Sequence, residues 1–291
     1  MILVDMNQVM ISNMMAHLVD KQINVKLIRH MVLNSLRYNR SKFYEKYGEL
    51  VLCYDSKHYW RKEYFKYYKG TRKKDRENSE LDWSEIFKIL NQIRDEIKDH
   101  LPYKVIEVDG AEADDCIAVL CKDQGLKNIR LHNNMQPIVK VLILSGDKDF
   151  IQLQKYKFVN QYNPIQKKFI NGSDPKQYVL EHIMKGDRSD GIPNYLSDDD
   201  TFVNEKRQRP LSKKNIVKYT DLSPEEFCSS EQQLKNYERN KTLIDFECIP
   251  TQIVDAIIDT YEMANPPKRS AIYPYLMQHN LKDLLEKIGE F

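Results

Sequence analysis

Four short apolar runs constrain the fold most: "ILV" (2 to 4), "ELVLCY" (49 to 54), "YKVIEV" (103 to 108) and "VKVLILS" (139 to 145). Their hydrophobicity is nearly continuous rather than alternating, the pattern of parallel strands covered on both faces. Parallel neighbours need crossover connections, and helical patterns fill the gaps. Ile28, Met31, Val32, Ser35 and Leu36 trace one stripe, and Trp83, Ile86, Phe87, Leu90, Ile93, Ile97 and Leu101 trace a longer one. Strand and helix alternate, which predicts an α/β core with a parallel sheet over residues 1–173.

Beyond that point the pattern changes. "DPKQYVLEHIMKG" (174 to 186) has an aspartate N-cap, proline at the first helical position and a closing glycine. Helical stripes recur at Ile253, Ile257 and Tyr261 and again at Leu281, Leu284, Leu285 and Ile288, so residues 174–291 are expected to be mostly helical. "DDD" (198 to 200) and "NEKRQRPLSKK" (204 to 214) are expected to form a mobile loop. A length of 291 residues with 41% apolar side chains suits a folded chain of one large or two small domains. Five cysteines without a CxxC pair disfavour a disulfide framework and a zinc ribbon. The apolar start "MILVD" is too short for a signal core, and no run is long enough to span a membrane, so a cytoplasmic protein is expected.

Acids cluster where the strands end. Asp5 follows the first run, Asp55 the second, and Asp147 and Asp149 the fourth; Glu112, Asp114 and Asp115 in "DGAEADD" open the helix after the third. Asp187 and Asp190 lie in "GDRSDG" (186 to 191). Ligand sites of open parallel sheets lie beyond the carboxyl ends of the strands, so these acids are expected to share one crevice. Taken singly each has a plain explanation: Asp55 as a helix cap, Asp109 with Glu112 as a capping box, Asp147 as a turn residue. Together they would repel strongly unless divalent cations neutralised them. Oxygen-only ligation suits magnesium, with manganese able to substitute, and so many acids imply two ions. A metal pair is a device for phosphodiester hydrolysis.

"KHYWRKEYFKYYKGTRKKDR" (57 to 76) carries nine Lys or Arg against two acids, interleaved with six aromatic residues. Its rings, Tyr59, Trp60, Tyr64 and Tyr68 among them, suit either packing on a core or stacking of bases beside cations that track a nucleic-acid backbone. A second basic stretch, Lys206, Arg207, Arg209, Lys213 and Lys214, is a candidate for holding duplex phosphates.

The ordered set "VDMNQ", "CYD", "YWRKEYFKYYKGTR", "EADD", "SGDKDF" and "GDRSDGI" resembles the flap endonuclease and 5′ nuclease family. "YERNKTLIDFECIP" (237 to 250) and the ending "IGEF" resemble its T-even phage ribonuclease H branch. The resemblance implies a PIN-like (SAF-type) nuclease core over 1–173 with a basic helical arch at about 56–82. It also implies a helical DNA-binding region over 174–291 with a modified helix-hairpin-helix. By the same resemblance Asp5, Asp55, Glu112, Asp114, Asp147 and Asp149 match metal-binding acids, with Asp115, Asp187 and Asp190 on the second-metal side. Arg61, Lys62, Lys66, Lys69, Arg72 and Lys73 fall in the arch, and Lys69 and Arg72 match residues that contact the scissile phosphate. The implied activity is a magnesium-dependent 5′ to 3′ exonuclease and flap endonuclease acting on RNA primers and adjacent DNA in lagging-strand replication. Implied partners are DNA and RNA:DNA duplexes with free 5′ ends or flaps and a single-stranded DNA-binding protein, with the chain a monomer.

Two departures stand out. "IPNYLSDDDTFVNEKRQRPLSKK" (192 to 214) has no glycine, where relatives carry a glycine-rich hairpin that grips duplex through backbone amides. The sequence also begins at its first strand, where T-even relatives have a lead-in segment, which leaves a sliding-clamp contact made there open. A haloacid dehalogenase-type phosphatase needs a second aspartate two residues after the first, and that position is Asn7. A non-cutting fork-binding module would be signalled by loss of key acids, and all are present.

Overall fold

The computed structural model describes residues 1–16 and 23–291, and contact density groups them into two compact units that interleave in sequence. The first takes Met1–Lys57, Leu81–Asn171 and Gln252–Phe291; the second takes His58–Glu80 and Gly172–Thr251.

In chain order the elements are β1 (Ile2–Asp5), α1 (Met6–Ala16), α2 (Val25–Tyr47), β2 (Leu50–Cys53), α3 (Trp60–Tyr64), α4 (Thr71–Glu77) and α5 (Trp83–His100). They continue through β3 (Lys104–Ile106), α6 (Ala113–Asn133), β4 (Val141–Leu144), β5 (Val159–Asn163), β6 (Lys168–Ile170) and α7 (Pro175–Lys185). The remainder is helical: α8 (Lys213–Tyr219), α9 (Pro224–Phe227), α10 (Glu231–Ile244), α11 (Thr251–Met263), α12 (Ile272–Gln278) and α13 (Lys282–Leu285).

The first unit holds one sheet in the order β3-β2-β1-β4-β5-β6, parallel except for the antiparallel edge strand β6. The four apolar runs are β2 and β3 to one side of β1 and β4 to the other. Side chains alternate across the sheet. Ile2, Val4, Leu50, Leu52, Leu142 and Leu144 join a core with α1, α2, α5 and the closing helices α12 and α13, while α6 packs against β1 and β2. Burial on both faces is why these runs lack alternation. β5 ("VNQYN") and β6 ("KFI") escaped the sequence reading because their polar residues break any apolar run.

The closing helices belong to the sheet unit through specific contacts. Glu96 on α5 accepts two hydrogen bonds from Arg29 on α2, at 2.6 and 2.8 Å, and one from the Tyr275 hydroxyl at 2.8 Å. Phe291 is fully buried, and the Glu290 carbonyl accepts from Arg40 at 3.1 Å. A buried, hydrogen-bonded polar cluster of this kind specifies one docking of the terminal helices.

The second unit has its own core, in which Phe65 and Tyr68 from the basic segment pack with Ile183, Met184, Ile192, Tyr195, Ile216, Phe227, Tyr237, Leu243 and Ile244. α7 runs between the N-cap Asp174, which accepts from the amides of Lys176 and Gln177, and Gly186. Of the stretches 198–200 and 204–214, expected to form a mobile loop, residues 199–205 form turns pinned by Asp200, which accepts from Asn204 and Lys206, and residues 213 and 214 open α8. No helix among the described residues is long and apolar enough to cross a membrane.

Candidate active site

In the sheet unit, chain direction reverses its progress across the sheet between β1 and β4, since β2 and β3 add to one side of β1 and β4 to the other. The loops leaving such a pair of strands diverge and open a crevice at their carboxyl ends. Asp5 ends β1, and β4 is followed by Ser145, Gly146 and Asp147. Asp5 is 7% exposed; its Oδ1 accepts the Gln8 amide at 3.0 Å and its Oδ2 accepts the Ser145 hydroxyl at 2.9 Å. The Ser145 hydroxyl also accepts the Asp147 amide at 3.1 Å, and Asp147 Oδ1 accepts the Asp149 amide at 2.9 Å. One buried serine therefore links the first and fourth strand ends.

Residues that the motif reading passed over hold this loop. Gln8 Oε1 accepts the Gly146 amide at 2.6 Å. From β5, Gln161, 1% exposed, donates to the Ser145 carbonyl at 3.1 Å and to the Asp147 carbonyl. Gly146 lies so close to Asn163 that a Cβ would come within 2.6 Å of its amide nitrogen. Gln8 and Gly146 lie inside the quoted motifs "VDMNQ" and "SGDKDF", whereas Gln161 and Asn163 lie in β5, which no apolar run marked.

β2 and β3 deliver the other acids. Asp55, two residues beyond β2, accepts the Ala113 amide at 2.7 Å and so caps α6 from a distant strand end. The capping box expected of Asp109 with Glu112 lies three residues later. Glu112 is the N-cap, and Asp115, fully buried, accepts the Glu112 amide at 3.0 Å as its reciprocal partner. Asp115 thus serves the helix start, whereas Asp114, one residue before it, is partly exposed.

Electrostatics show the stress of this assembly. Burial pushes the Asp5 carboxyl up to about 6, with repulsion from Asp55 and Asp147 adding to it and the Gln8 and Ser145 hydrogen bonds opposing it. Burial likewise raises the Cys53 thiol, with Cys116, Asp5 and Asp114 adding negative potential around it. An oxygen-only donor set whose central carboxyl resists ionisation fits a hard divalent cation, which would reverse that penalty.

The second unit arranges its charges differently. "GDRSDGI" is a tight loop closed by backbone bonds between Asp187 and Ile192 at 2.8 and 2.7 Å. Gly186, at φ 65°, sits where a Cβ would come within 2.3 Å of the Ile192 carbonyl oxygen, so only glycine fits. Asp187 Oδ1 accepts from the Ser189 amide and hydroxyl at 2.7 and 2.6 Å, and its Oδ2 lies 3.2 Å from His182 Nε2. Burial alone would raise the Asp187 carboxyl; the hydrogen bonds from His182 and Ser189 outweigh it and hold the group well below the usual range. Asp190 accepts from Arg72 at 2.6 Å and from the Tyr68 hydroxyl at 2.9 Å, with Lys69 Nζ at 4.0 Å.

The predicted arch residues divide by environment. Arg61 is 3% exposed, donates to the Leu243 carbonyl at 2.8 Å and lies over Trp60, so its charge is spent inside the unit and is not presented to solvent. Trp60, Phe65 and Tyr68 are buried, in line with packing, and Tyr64 is exposed. Lys62 and Lys66 are exposed, Lys66 over the Tyr67 ring, and the side chain of Lys73 lies outside the described residues. Within this unit a cleft of ≈ 1350 Å³ is lined by Lys74, Lys185, Arg188, Lys206, Arg207 and Arg209. Lys213 and Lys214 are exposed at the start of α8, which Ser212 caps.

The glycine-free stretch is held by side chains. Asn240 donates to the Ile183 and Pro193 carbonyls, both at 2.8 Å, Arg239 donates to the Pro193 carbonyl at 3.0 Å, and Asn236 donates to those of Tyr195 and Ser197 at 3.1 and 2.9 Å. These three residues of α10 satisfy carbonyls of the stretch.

Comparison with known proteins agrees with this geometry. Residues 1–182 match the 5′–3′ exonuclease N-terminal resolvase-like domain, and residues 173–291 match the T4 RNase H C-terminal domain. The chain is 34% identical over 299 aligned positions to the ribonuclease H of Enterobacteria phage T4, covering 99% of this chain and 95% of that protein. Among solved structures, a bacteriophage T5 flap endonuclease in a pseudo-enzyme-product complex with DNA and metal ions superposes with a TM-score of 0.59 at 14% identity, over 90% of this chain and 99% of the other. The T5 5′-exonuclease with bound zinc superposes with a TM-score of 0.57 at 15% identity, over 91% and 99%. The matched stretches span both units and nearly every residue, and the chain belongs to the 5′–3′ exonuclease family that includes phage T4 ribonuclease H.

Proposed function

We propose that the chain is a divalent-metal-dependent 5′ to 3′ exonuclease and flap endonuclease that removes RNA primers and adjacent DNA during lagging-strand replication. The observation that carries the reading is the convergence of Asp5, Asp55 and Asp147 at the carboxyl ends of adjacent strands, close enough to raise the central carboxyl. Asp5, Asp55, Glu112, Asp114, Asp147 and Asp149 would hold two magnesium ions, with manganese able to substitute, and Asp187 and Asp190 are further candidates on the second-metal side. Bound there, the ions supply activation of the attacking water and stabilisation of the leaving 3′ oxygen.

The chain's own residues perform the remaining tasks. Ser145 and Gln8 orient Asp5 and the loop after β4, keeping the carboxylates in fixed positions. Lys69 and Arg72 stabilise charge developing on the scissile phosphate. The cations of the cleft, together with Lys213 and Lys214, hold the duplex backbone, a task the glycine-free stretch leaves to side chains. The substrate is an RNA:DNA or DNA duplex with a free 5′ end or flap. A monomer working in the host cytoplasm beside a single-stranded DNA-binding protein completes the reading.

The test is cleavage of a 5′-labelled flap and of an RNA-primed DNA duplex, with magnesium or with chelator, by wild type and Asp147→Asn. Short products that require both magnesium and Asp147 are expected. Cleavage that survives chelation would remove the metal from the reading, and binding without cleavage by wild type would leave a fork-binding module.

A further inference from the structure

The Asp190 carboxylate sits where three donors converge. Arg72 donates to Oδ1 at 2.6 Å, the Tyr68 hydroxyl donates to Oδ2 at 2.9 Å, and Lys69 Nζ stands 4.0 Å from Oδ2. Two cations and a hydroxyl around one two-oxygen anion is the donor set that binds a nucleic-acid phosphate, since guanidinium engages carboxylate and phosphate in the same way. The arrangement is built into the backbone. The Lys69 amide donates to the Asp190 carbonyl at 2.7 Å, Lys69 itself adopts φ 52°, and Gly191 at φ 73° approaches Tyr67 so closely that a Cβ would lie 2.9 Å from its carbonyl oxygen. A lysine in the left-handed region costs energy and persists only where its surroundings hold it. Tyr68 is 3% exposed, and its hydroxyl reaches Asp190 from the core.

We infer that Asp190 occupies the place of a substrate phosphate against Lys69 and Arg72 in the nucleic-acid-free chain, so that binding there is an exchange of carboxylate for phosphate. This deepens the nucleic-acid reading above and rests on it. The consequence is selectivity. A phosphate gains only the difference between its own bonds to the two cations and those of Asp190, so a single backbone contact of any random strand is weakly rewarded, and substrates that make further contacts are favoured. The freed Asp190 also takes up a counterion, which offsets one released from the nucleic acid and flattens the salt dependence.

The experiment measures binding of a fluorescent 5′-flap DNA by anisotropy in chelator, where no cleavage occurs, across about 50 to 200 mM salt. The proteins are wild type, Asp190→Asn, Tyr68→Phe, Arg72→Ala and the Arg72→Ala/Asp190→Asn pair, each checked for folding by circular dichroism. Asp190→Asn is expected to bind about three- to tenfold more tightly at the low-salt end, with the slope of log affinity against log salt steeper by about one. Tyr68→Phe, which loosens the carboxylate without removing its charge, is expected to move affinity in the same direction by less. In the Arg72→Ala background the Asp190→Asn gain should largely vanish. Equal binding and equal slope for wild type and Asp190→Asn would overturn the masking alone. Weaker binding by both Asp190→Asn and Tyr68→Phe would make Asp190 a positioning residue instead. Should Asp190→Asn fail to fold, unchanged or weaker binding by Tyr68→Phe overturns the proposal. No binding by any protein would overturn the nucleic-acid reading and the masking with it.

Discussion

The strand-end acids of the sheet unit and the acids of the "GDRSDGI" loop are the same residue types in opposite electrostatic settings. Asp5 is buried facing Asp55 and Asp147, and its carboxyl is driven up to about 6. Asp187 is also partly buried, yet His182 and Ser189 hold it in the ionised form. Asp190 has Arg72 and Tyr68. In the first set carboxylates add to one another's repulsion; in the second, donors of the chain surround them. Burial acts on every carboxyl in the same direction, so the neighbours decide whether an acid becomes a ligand or a structural tie.

The largest way to break this contrast is at Asp147. Asp147→Asn should lower cleavage by roughly 10³-fold with little change in folding, the loss expected when one preorganised charge-stabilising element goes. An effect under tenfold would place the chemistry elsewhere.

Next comes Gly186→Ala in the self-satisfied loop. The left-handed backbone and the Ile192 carbonyl leave no room for a methyl group, and a loss of about 2–4 kcal/mol in urea unfolding is expected. A neutral result would mean the loop does not depend on this closure.

Asp5→Asn should do the reverse to stability. The folded-state carboxyl lies above its unfolded value of 3.8, so ionisation penalises the folded chain. The penalty is absent below about pH 4, grows as pH rises through about 6 and is constant above that. In chelator at pH 8 the variant is expected to be more stable than wild type by about 1–3 kcal/mol, an advantage that disappears at pH 4. Saturating magnesium should reverse the order, because only wild type then gains from the ion. Denaturation midpoints across pH, with and without magnesium, settle the sign.

The smallest effect is at Ser145. Ser145→Ala removes the hydroxyl between Asp5 and Asp147 and should weaken manganese binding by about tenfold in calorimetry, the usual cost of losing a residue that orients a metal ligand. Unchanged affinity would show that the crevice does not need this link.

Much of the sheet unit was legible in advance because a strand buried on both faces writes its position as an apolar run, and the acid after each run marks the sheet's carboxyl edge. α7 was legible from Asp174, Pro175 and Gly186, which state a helix in local terms. β5 and β6 were not, since their membership depends on pairing with β4 and with each other, and Gln161 makes its bonds to a loop that the sequence places 14 and 16 positions away. Arg61 was placed among the arch cations by resemblance, and only the fold shows the Leu243 carbonyl, 182 positions along the chain, that takes its charge inward.

By itself, then, the amino-acid order determined the α/β alternation, the acids at the strand ends and the basic segment after Asp55. These follow from local periodicity and from chemistry that short motifs carry. Tertiary structure alone decided that residues 252–291 return to the sheet unit while residues 58–80 join the second unit. It also decided which carboxylates meet one another and which meet a donor. Both outcomes depend on contacts between residues far apart in the chain, whose closure no local pattern records.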